Sequence, residues 1–159
     1  MFESVDHTGF TVADLDRSIA WYTQVLGVPP LIRKRSNDEY MGGMIGYSDC
    51  EIEYAYFPLP GGSKLELIEY VDPPSATVDM ETSNLGNGHL CLLVDDIHAE
   101  FERLSPIAPF RSPAPVEITA GPNSGGYGAY LRDPDGITIQ LIQLPPGGQR
   151  LPGADGERK

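Results

Sequence analysis

Two stretches, HTGFTVADL at His7–Leu15 and HLCLLVDDI at His89–Ile97, decide the fold of this chain. Alignment of their histidines also aligns three later pairs of residues: Val12 with Val94, Asp14 with Asp96, and Leu15 with Ile97. A second match pairs GSKLELIE at 62–69 with GITIQLIQ at 136–143. A repeat of this kind indicates two copies of one supersecondary unit. Each copy contains one histidine and one Glu or Gln that could bind a metal ion.

Composition restricts the class of protein and its partners. A chain of 159 residues is long enough for one domain or two small, closely packed modules. The 18 glycines and 15 prolines favour short strands and tight turns over long helices. The formal net charge of −12 argues against nucleic acid or an anionic membrane as a partner, because phosphates would be repelled. This charge does not exclude a small anionic substrate, since a local metal ion can reverse the field.

The cysteines and the hydropathy pattern indicate a cytoplasmic protein. Cys50 and Cys91 are the only cysteines, and we expect both to be free thiols in a reducing compartment. No basic segment followed by an apolar one opens the chain, as a secretion signal would require. No apolar stretch approaches the roughly 20 residues needed to cross a bilayer.

The first half of the sequence predicts a βαβββ unit, followed by a linker. A strand over 5–12 precedes a helix over 14–26, which Asp14 caps at its start and Gly27 ends. Three strands follow in this prediction: one near 31–34, which residues 43–46 extend or interrupt with a bulge, one over 51–57, and one over 64–70. The polar residues 71–86 form the linker.

The second half predicts the same unit again. A strand over 89–94 leads to a helix that Asp96 caps, and further strands lie near 116–119, 127–132 and 137–143. The sequence thus divides into a first module over 1–70, the linker over 71–86, a second module over 87–144, and a tail over 145–159 that we expect to be disordered. Two such modules can face each other, which predicts an α+β fold with a curved, mostly antiparallel sheet cup.

Strand alternation places the four repeated polar positions on one kind of face. Leu65 and Leu67 alternate with Glu66, and Ile139 and Leu141 alternate with Gln140, so Glu66 and Gln140 lie opposite the apolar faces. The same alternation turns His7 and His89 toward the inside of the cup. Two imidazoles, one carboxylate and one amide oxygen suit a divalent ion such as Zn, Ni, Co, Mn or Fe. Such an ion acts as a Lewis acid on bound oxygens.

The sequence resembles the vicinal oxygen chelate superfamily, which includes glyoxalase I, bleomycin resistance proteins and extradiol dioxygenases. Four motifs carry the resemblance over about residues 5–143: DHTGFTVADLDRSIAWYTQVLG, LPGGSKLELIEY, GNGHLCLLVDD and YLRDPDGITIQLIQ. It implies paired βαβββ modules around a metal held by His7, Glu66, His89 and Gln140. The family usually has Glu at the last position, so the resemblance implies a ligand at Gln140 but no catalytic base.

This resemblance implies a metal-dependent lyase or isomerase of the glyoxalase type. Its small substrate would be chelated through adjacent oxygens, and the metal would stabilise an enolate-like intermediate. Glu66 is the expected catalytic base, and Glu51 and Glu53 are weaker candidates. We expect a homodimer, and the sequence leaves open whether a site forms within one chain or across two, since both arrangements occur in the family.

Two other functions stay open at this point. An Fe(II)-dependent dioxygenase that cleaves rings or tailors polyketides could use His7, His89 and Glu66, although the usual iron-binding carboxylate is replaced by Gln140. A metal-free binding or resistance protein is disfavoured, because that branch typically lacks the four ligand positions.

Several other residues have simpler explanations than catalysis. We expect His98 to be a surface residue and Trp21 and Tyr22 to be packing residues. We expect Cys91 to be a small core residue rather than a nucleophile, since nothing nearby lowers its pKa.

Overall fold

The chain folds into two compact units, Met1–Val78 and Asp79–Lys159, in a computed structural model that describes residues 3–148. The division falls inside the predicted linker over 71–86. Each unit is an α+β structure with one four-stranded sheet, as the sequence predicts.

The first unit contains four strands and two helices. In chain order they are β1 (His7–Thr11), α1 (Leu15–Leu26), β2 (Ile32–Ser36), α2 (Glu39–Ile45), β3 (Glu51–Pro58) and β4 (Lys64–Asp72). The sheet has the order β1-β4-β3-β2. The pairing of β1 with β4 is parallel, and the other two pairings are antiparallel. The first and last strands of the unit are therefore neighbours.

The ends of α1 follow the sequence signals. The Asp14 side chain accepts a hydrogen bond from the backbone N–H of Arg17, and Gly27 ends the helix in the left-handed region with φ 71°. A residue far along the chain adds a second cap, because Glu69 Oε2 accepts a hydrogen bond from the Leu15 N–H at 2.7 Å. This contact ties the first turn of α1 to β4.

The helix α2 corrects the sequence prediction, which placed an extended or bulged strand at residues 43–46. Gly42 is buried in this helix, and a Cβ there would lie 2.4 Å from the Tyr47 carbonyl oxygen. Gly46 ends the helix at φ 92°. The glycines that suggested a bulge thus allow a tight turn after a short helix.

Over the described residues 79–148, the second unit repeats the plan of the first without a counterpart of α2. It consists of β5 (His89–Leu93), α3 (Ile97–Leu104), β6 (Val116–Glu117), β7 (Tyr127–Arg132) and β8 (Thr138–Gln143), with the sheet order β5-β8-β7-β6. Here β5 and β8 are the parallel pair. The Asp96 side chain caps α3, as predicted, and Gln143 Oε1 accepts from the Ile97 N–H at 2.8 Å, matching Glu69 in the first unit.

Two predicted segments of the second half differ in the structure. The strand predicted near 116–119 is shorter and covers only Val116–Glu117, and Ile118 then donates to the Gly126 carbonyl and accepts from the Gly125 N–H. In the tail predicted over 145–159, residues 145–148 form a turn closed by a hydrogen bond from Gly148 to Pro145. The rest of that tail lies outside the described residues.

The apolar residues form a core in each unit on the sheet face that the helix covers. Leu65 and Leu67 of β4 are fully buried, as is Ile139 of β8, while Leu141 is 2% exposed. Glu66 and Gln140, on the opposite faces, are partly exposed. The predicted alternation is therefore confirmed in both units.

The cysteines are unpaired in the structure: Cys50 and Cys91 are free thiols, as expected. Among residues 3–148, no helix is both long enough and apolar enough to cross a membrane.

The shared cap gives a first prediction about stability. Glu69→Ala removes the acceptor for the Leu15 N–H, and we expect it to lower the free energy of unfolding by about 1–2 kcal/mol. Glu69→Gln should keep most of this stability, because an amide oxygen makes the same bond at Gln143. Urea unfolding measures both variants. An equal loss in the two would show that the carboxylate charge, and not the acceptor, is what matters.

Candidate functional site

The parallel pairing of β1 with β4 brings His7 and Glu66 together. The register places Gly9 beside Glu66, and a Cβ at Gly9 would lie 3.4 Å from Glu66 Oε2. Since glycine has no side chain, the carboxylate can extend across β1 toward the histidine. His7 Nε2 lies 3.2 Å from Glu66 Oε2, and the Glu66 side chain is only 12% exposed.

A second carboxylate holds the other nitrogen of the His7 ring. Asp6 Oδ2 lies 2.8 Å from His7 Nδ1, and Lys64 Nζ lies 2.7 Å from Asp6 Oδ1. The hydrogen bond with His7, and then the one with Lys64, lower the pKa of the Asp6 carboxyl below its ordinary value. Asp6 is therefore a charged acceptor that orients the imidazole ring.

This arrangement fits a bound cation. A neutral imidazole carries one proton, so only one of its nitrogens can donate a hydrogen bond. When Nδ1 donates to Asp6, the Nε2 lone pair points at the Glu66 carboxylate, and two electron-pair donors face each other. A metal ion satisfies both donors, and a carboxylate behind the histidine is the usual support of a metal-binding imidazole.

Tyr56 of β3 completes this half of the site. Tyr56 is the register partner of Glu66, and its ring meets the His7 ring edge-on with centroids 5.6 Å apart. Desolvation by burial, and then hydrogen bonding of its hydroxyl toward the Glu66 carboxylate, raise the pKa of Tyr56, so the hydroxyl stays protonated and can donate. We call Asp6, His7, Glu66 and Tyr56 the first half-site.

His89 and Gln140 are arranged in the same way in the second unit. They lie on the parallel neighbours β5 and β8, in the register that pairs Cys91 with Gln140. Tyr130 is the register partner of Gln140, and its ring meets the His89 ring edge-on at 5.6 Å. His89, Tyr130 and Gln140 form the second half-site. It lacks a counterpart of Asp6, since Gly88 precedes His89.

Asp6 and Tyr56 are site residues that were not predicted from the sequence. A signal for the tyrosines was present, because Tyr56 and Tyr130 each lie ten residues before the Glu or Gln of their half-site. The repeat therefore extends over three side chains in each unit.

The structure shows each predicted ligand within its own unit. His7 and Glu66 are in contact, and His89 lies one strand away from Gln140. Within residues 3–148, no group of three or more His, Cys, Asp and Glu side chains is placed to hold a metal ion. The complete set of four ligands therefore stays a prediction.

The weaker catalytic candidates have structural partners instead. Glu53 accepts hydrogen bonds from Arg33 and Arg35, and Glu51 accepts one from Arg35. These ion pairs fasten β2 to β3. We therefore assign Glu51 and Glu53 a structural role.

The residues with simpler explanations follow the predictions with one exception. His98 is exposed, and Trp21 and Tyr22 are buried in contact with each other. Cys91 is exposed and not a core residue as expected. Desolvation still raises the pKa of its thiol, which disfavours the nucleophilic thiolate.

Comparisons with known proteins agree on one family. The family model described as "Glyoxalase/Bleomycin resistance protein/Dioxygenase superfamily" matches residues 4–141. The chain is 34% identical over 151 residues to lactoylglutathione lyase of Salmonella typhimurium, covering 91% of this chain and 96% of the relative. It is 30% identical over 148 residues to 2-epi-5-epi-valiolone epimerase of an Actinomyces species, covering 91% of this chain and 81% of the relative.

A solved structure is similar in fold. A glyoxalase family protein from Bacillus cereus superposes with a TM-score of 0.78 at 23% identity, over 91% of this chain and 96% of that one. At this identity the likeness shows a shared fold.

The two tyrosines give a matched test of the first half-site. Tyr56→Phe removes a donor to a mostly buried carboxylate, and we expect a loss of roughly 1.5–3 kcal/mol in unfolding free energy. Tyr130→Phe should cost less than about 0.5 kcal/mol, because Tyr130 makes a ring contact but no hydrogen bond through its hydroxyl among the described residues. Chemical unfolding of both variants measures the difference. Equal losses would contradict the assigned bond.

Proposed function

This chain belongs to the glyoxalase/bleomycin resistance protein/dioxygenase superfamily, and we propose that it is a divalent-metal-dependent lyase or isomerase. The substrate class is a small molecule with two adjacent oxygens and a proton beside a carbonyl. The observation that carries the proposal is the first half-site, in which His7 is held between the carboxylates of Asp6 and Glu66.

We propose His7, Glu66, His89 and Gln140 as the metal ligands of this chain. His7 and His89 would supply nitrogen ligands, Glu66 a carboxylate oxygen and Gln140 an amide oxygen. This set suits Zn, Ni, Co, Mn or Fe in the divalent state. When bound, such an ion supplies Lewis-acid stabilisation of the negative charge that develops on the substrate oxygens.

Glu66 would be the residue that moves the proton. Its carboxylate is 12% exposed, and the Tyr56 hydroxyl holds it on the sheet face away from the core. Limited contact with water favours proton transfer to a bound substrate over exchange with solvent. Gln140 cannot take this role, because an amide does not accept a proton at neutral pH. Proton removal and return would both use Glu66.

The names of two relatives suggest substrates for a first assay. One relative is a lactoylglutathione lyase and another is an epimerase of 2-epi-5-epi-valiolone. Both names describe reactions that do not consume dioxygen. We therefore propose proton transfer as the reaction class. Lactoylglutathione and 2-epi-5-epi-valiolone are the two probes for the first assay.

Glu66 variants separate metal binding from proton transfer. We expect Glu66→Gln to keep bound metal, because it creates the His and Gln pair already present in the second half-site. Its rate of deuterium incorporation beside the substrate carbonyl should fall about 10²–10⁴-fold. Glu66→Ala should lose both metal and exchange. Elemental analysis and NMR in D2O, with wild type as the reference, measure the two properties.

Metal content, deuterium exchange and oxygen uptake, measured together, decide among three functions. Exchange without oxygen uptake supports a lyase or isomerase. Bound iron with substrate-dependent oxygen uptake would instead identify an oxygenase. If wild-type protein holds less than about a tenth of an equivalent of metal after reconstitution, the remaining function is a metal-free binding protein.

The role of Asp6 can be tested without turnover. Asp6→Ala leaves the His7 ring without its charged acceptor, and we expect metal affinity to fall about 10-fold or more. Asp95→Ala removes the same charge from an exposed position outside both half-sites and should leave affinity unchanged. Calorimetric titration with Zn²⁺ measures both. Equal affinities in the two variants would remove Asp6 from the site.

A further inference from the structure

The sheet face that carries Glu66 is lined with tyrosines. Tyr54 and Tyr56 of β3 alternate with buried Ala55 and Phe57, so they lie on the Glu66 side of the sheet. Their rings are in edge-on contact, with centroids 5.7 Å apart. The pairing of Tyr56 with Glu66 places this aromatic pair directly beside the proposed base.

A second pair of rings lies on the same face. Tyr70 is on β4, an even number of residues from Glu66, and its ring meets that of Tyr47 edge-on at 6.1 Å. Tyr47 comes from the turn after α2, so this segment covers the end of the face. Ile52, the register partner of Tyr70, is accordingly 1% exposed. We call Tyr47, Tyr54, Tyr56 and Tyr70 the tyrosine surface.

Among residues 3–148, one cation next to the tyrosine surface has no side-chain partner. Lys34 of β2 is the register partner of Tyr54, which places it on the same face. It is exposed, and among the described residues its side chain makes no hydrogen bond or ion pair. The other cations of β2 and β4 are each paired with carboxylates: Arg33 with Asp16 and Glu53, Arg35 with Glu51 and Glu53, and Lys64 with Asp6.

We propose that this face binds a flat cyclic substrate with one anionic group, whose ring packs on the tyrosine surface and whose anion pairs with Lys34. The inference rests on the proposed function for the position of the chelated oxygens, next to Glu66. Tyrosine rings bind flat rings through stacked or edge-on contacts. A single available ammonium group on an acidic protein matches one negative charge.

The same features disfavour a peptide conjugate as the preferred ligand. A glutathione conjugate carries two carboxylates on a flexible peptide, and ion pairing of both carboxylates takes two cations. With a formal net charge of −12 and Arg33, Arg35 and Lys64 already paired, this face offers one such partner among the described residues. The preferred substrate should therefore differ from lactoylglutathione.

Three small probes separate the contributions of ring and charge. Benzoylformate has a ring, a carboxylate and an adjacent keto oxygen; pyruvate lacks the ring; methyl benzoylformate lacks the charge. We expect the full chain, with and without Zn²⁺, to bind benzoylformate about 3-fold to 10-fold more tightly than pyruvate. On the chain without Zn²⁺, where no metal binds the carboxylate, a similar margin should separate benzoylformate from its methyl ester. S-lactoylglutathione should bind more weakly than benzoylformate.

Two variants assign these preferences to residues. Lys34→Met should remove the preference for benzoylformate over its ester, and Tyr54→Leu should remove the preference over pyruvate. Arg103→Met, which loses a positive charge on α3, should change neither. Isothermal titration calorimetry gives the affinities, and circular dichroism checks folding.

The results distinguish this inference from the proposed function. Equal affinities for benzoylformate and pyruvate, unchanged preferences in Lys34→Met and Tyr54→Leu, or tighter binding of S-lactoylglutathione would overturn the inference. Both preferences measured on metal-free protein support it even when metal binding or proton exchange fails. In that event the proposed function fails and the binding surface stands.

Discussion

The parallel pairing of the first and last strands in each unit is the constraint on which the rest depends. In the first unit it sets His7 beside the strand that carries Glu66, with Gly9 leaving room for the carboxylate between them. In each unit, the first strand of the parallel pair leads directly into the helix that covers the apolar face. Sheet hydrogen bonding therefore fixes the ligand positions, and a slip of one residue would turn Glu66 into the core.

The two copies of this plan differ mainly where Glu is replaced by Gln. Glu69 and Gln143 both accept a hydrogen bond from the first turn of a helix, so an amide oxygen serves there as well as a carboxylate. At Glu66 and Gln140 the same replacement keeps an oxygen acceptor but removes a charge and a site for a proton. The exchange at Glu69 and Gln143 keeps the structural hydrogen bond. The exchange at Glu66 and Gln140 leaves a group that can carry a proton in the first half-site only.

Local signals predicted the elements well, and contacts between distant strands were harder to predict. Asp14, Gly27 and Asp96 mark helix ends through bonds to nearby backbone, which a sequence shows directly. The helix α2 was missed because its turn depends on Gly42 lying against the Tyr47 carbonyl. The bonds of Asp6 to Lys64 and of Tyr56 to Glu66 depend on strand register, which periodicity alone does not determine.

The charge distribution explains why the first half-site should attract the ion more strongly than the second. The first half-site carries two carboxylates, Asp6 and Glu66, around His7, whereas the second carries the neutral Gln140. Negative charge therefore favours a cation at the first half-site. A cation held between Glu66 and His7 would relieve the unfavourable facing of two electron-pair donors, and the free energy released would also stabilise the folded unit. On the proposed function, the half-site that binds the ion most strongly is the one that also holds the base.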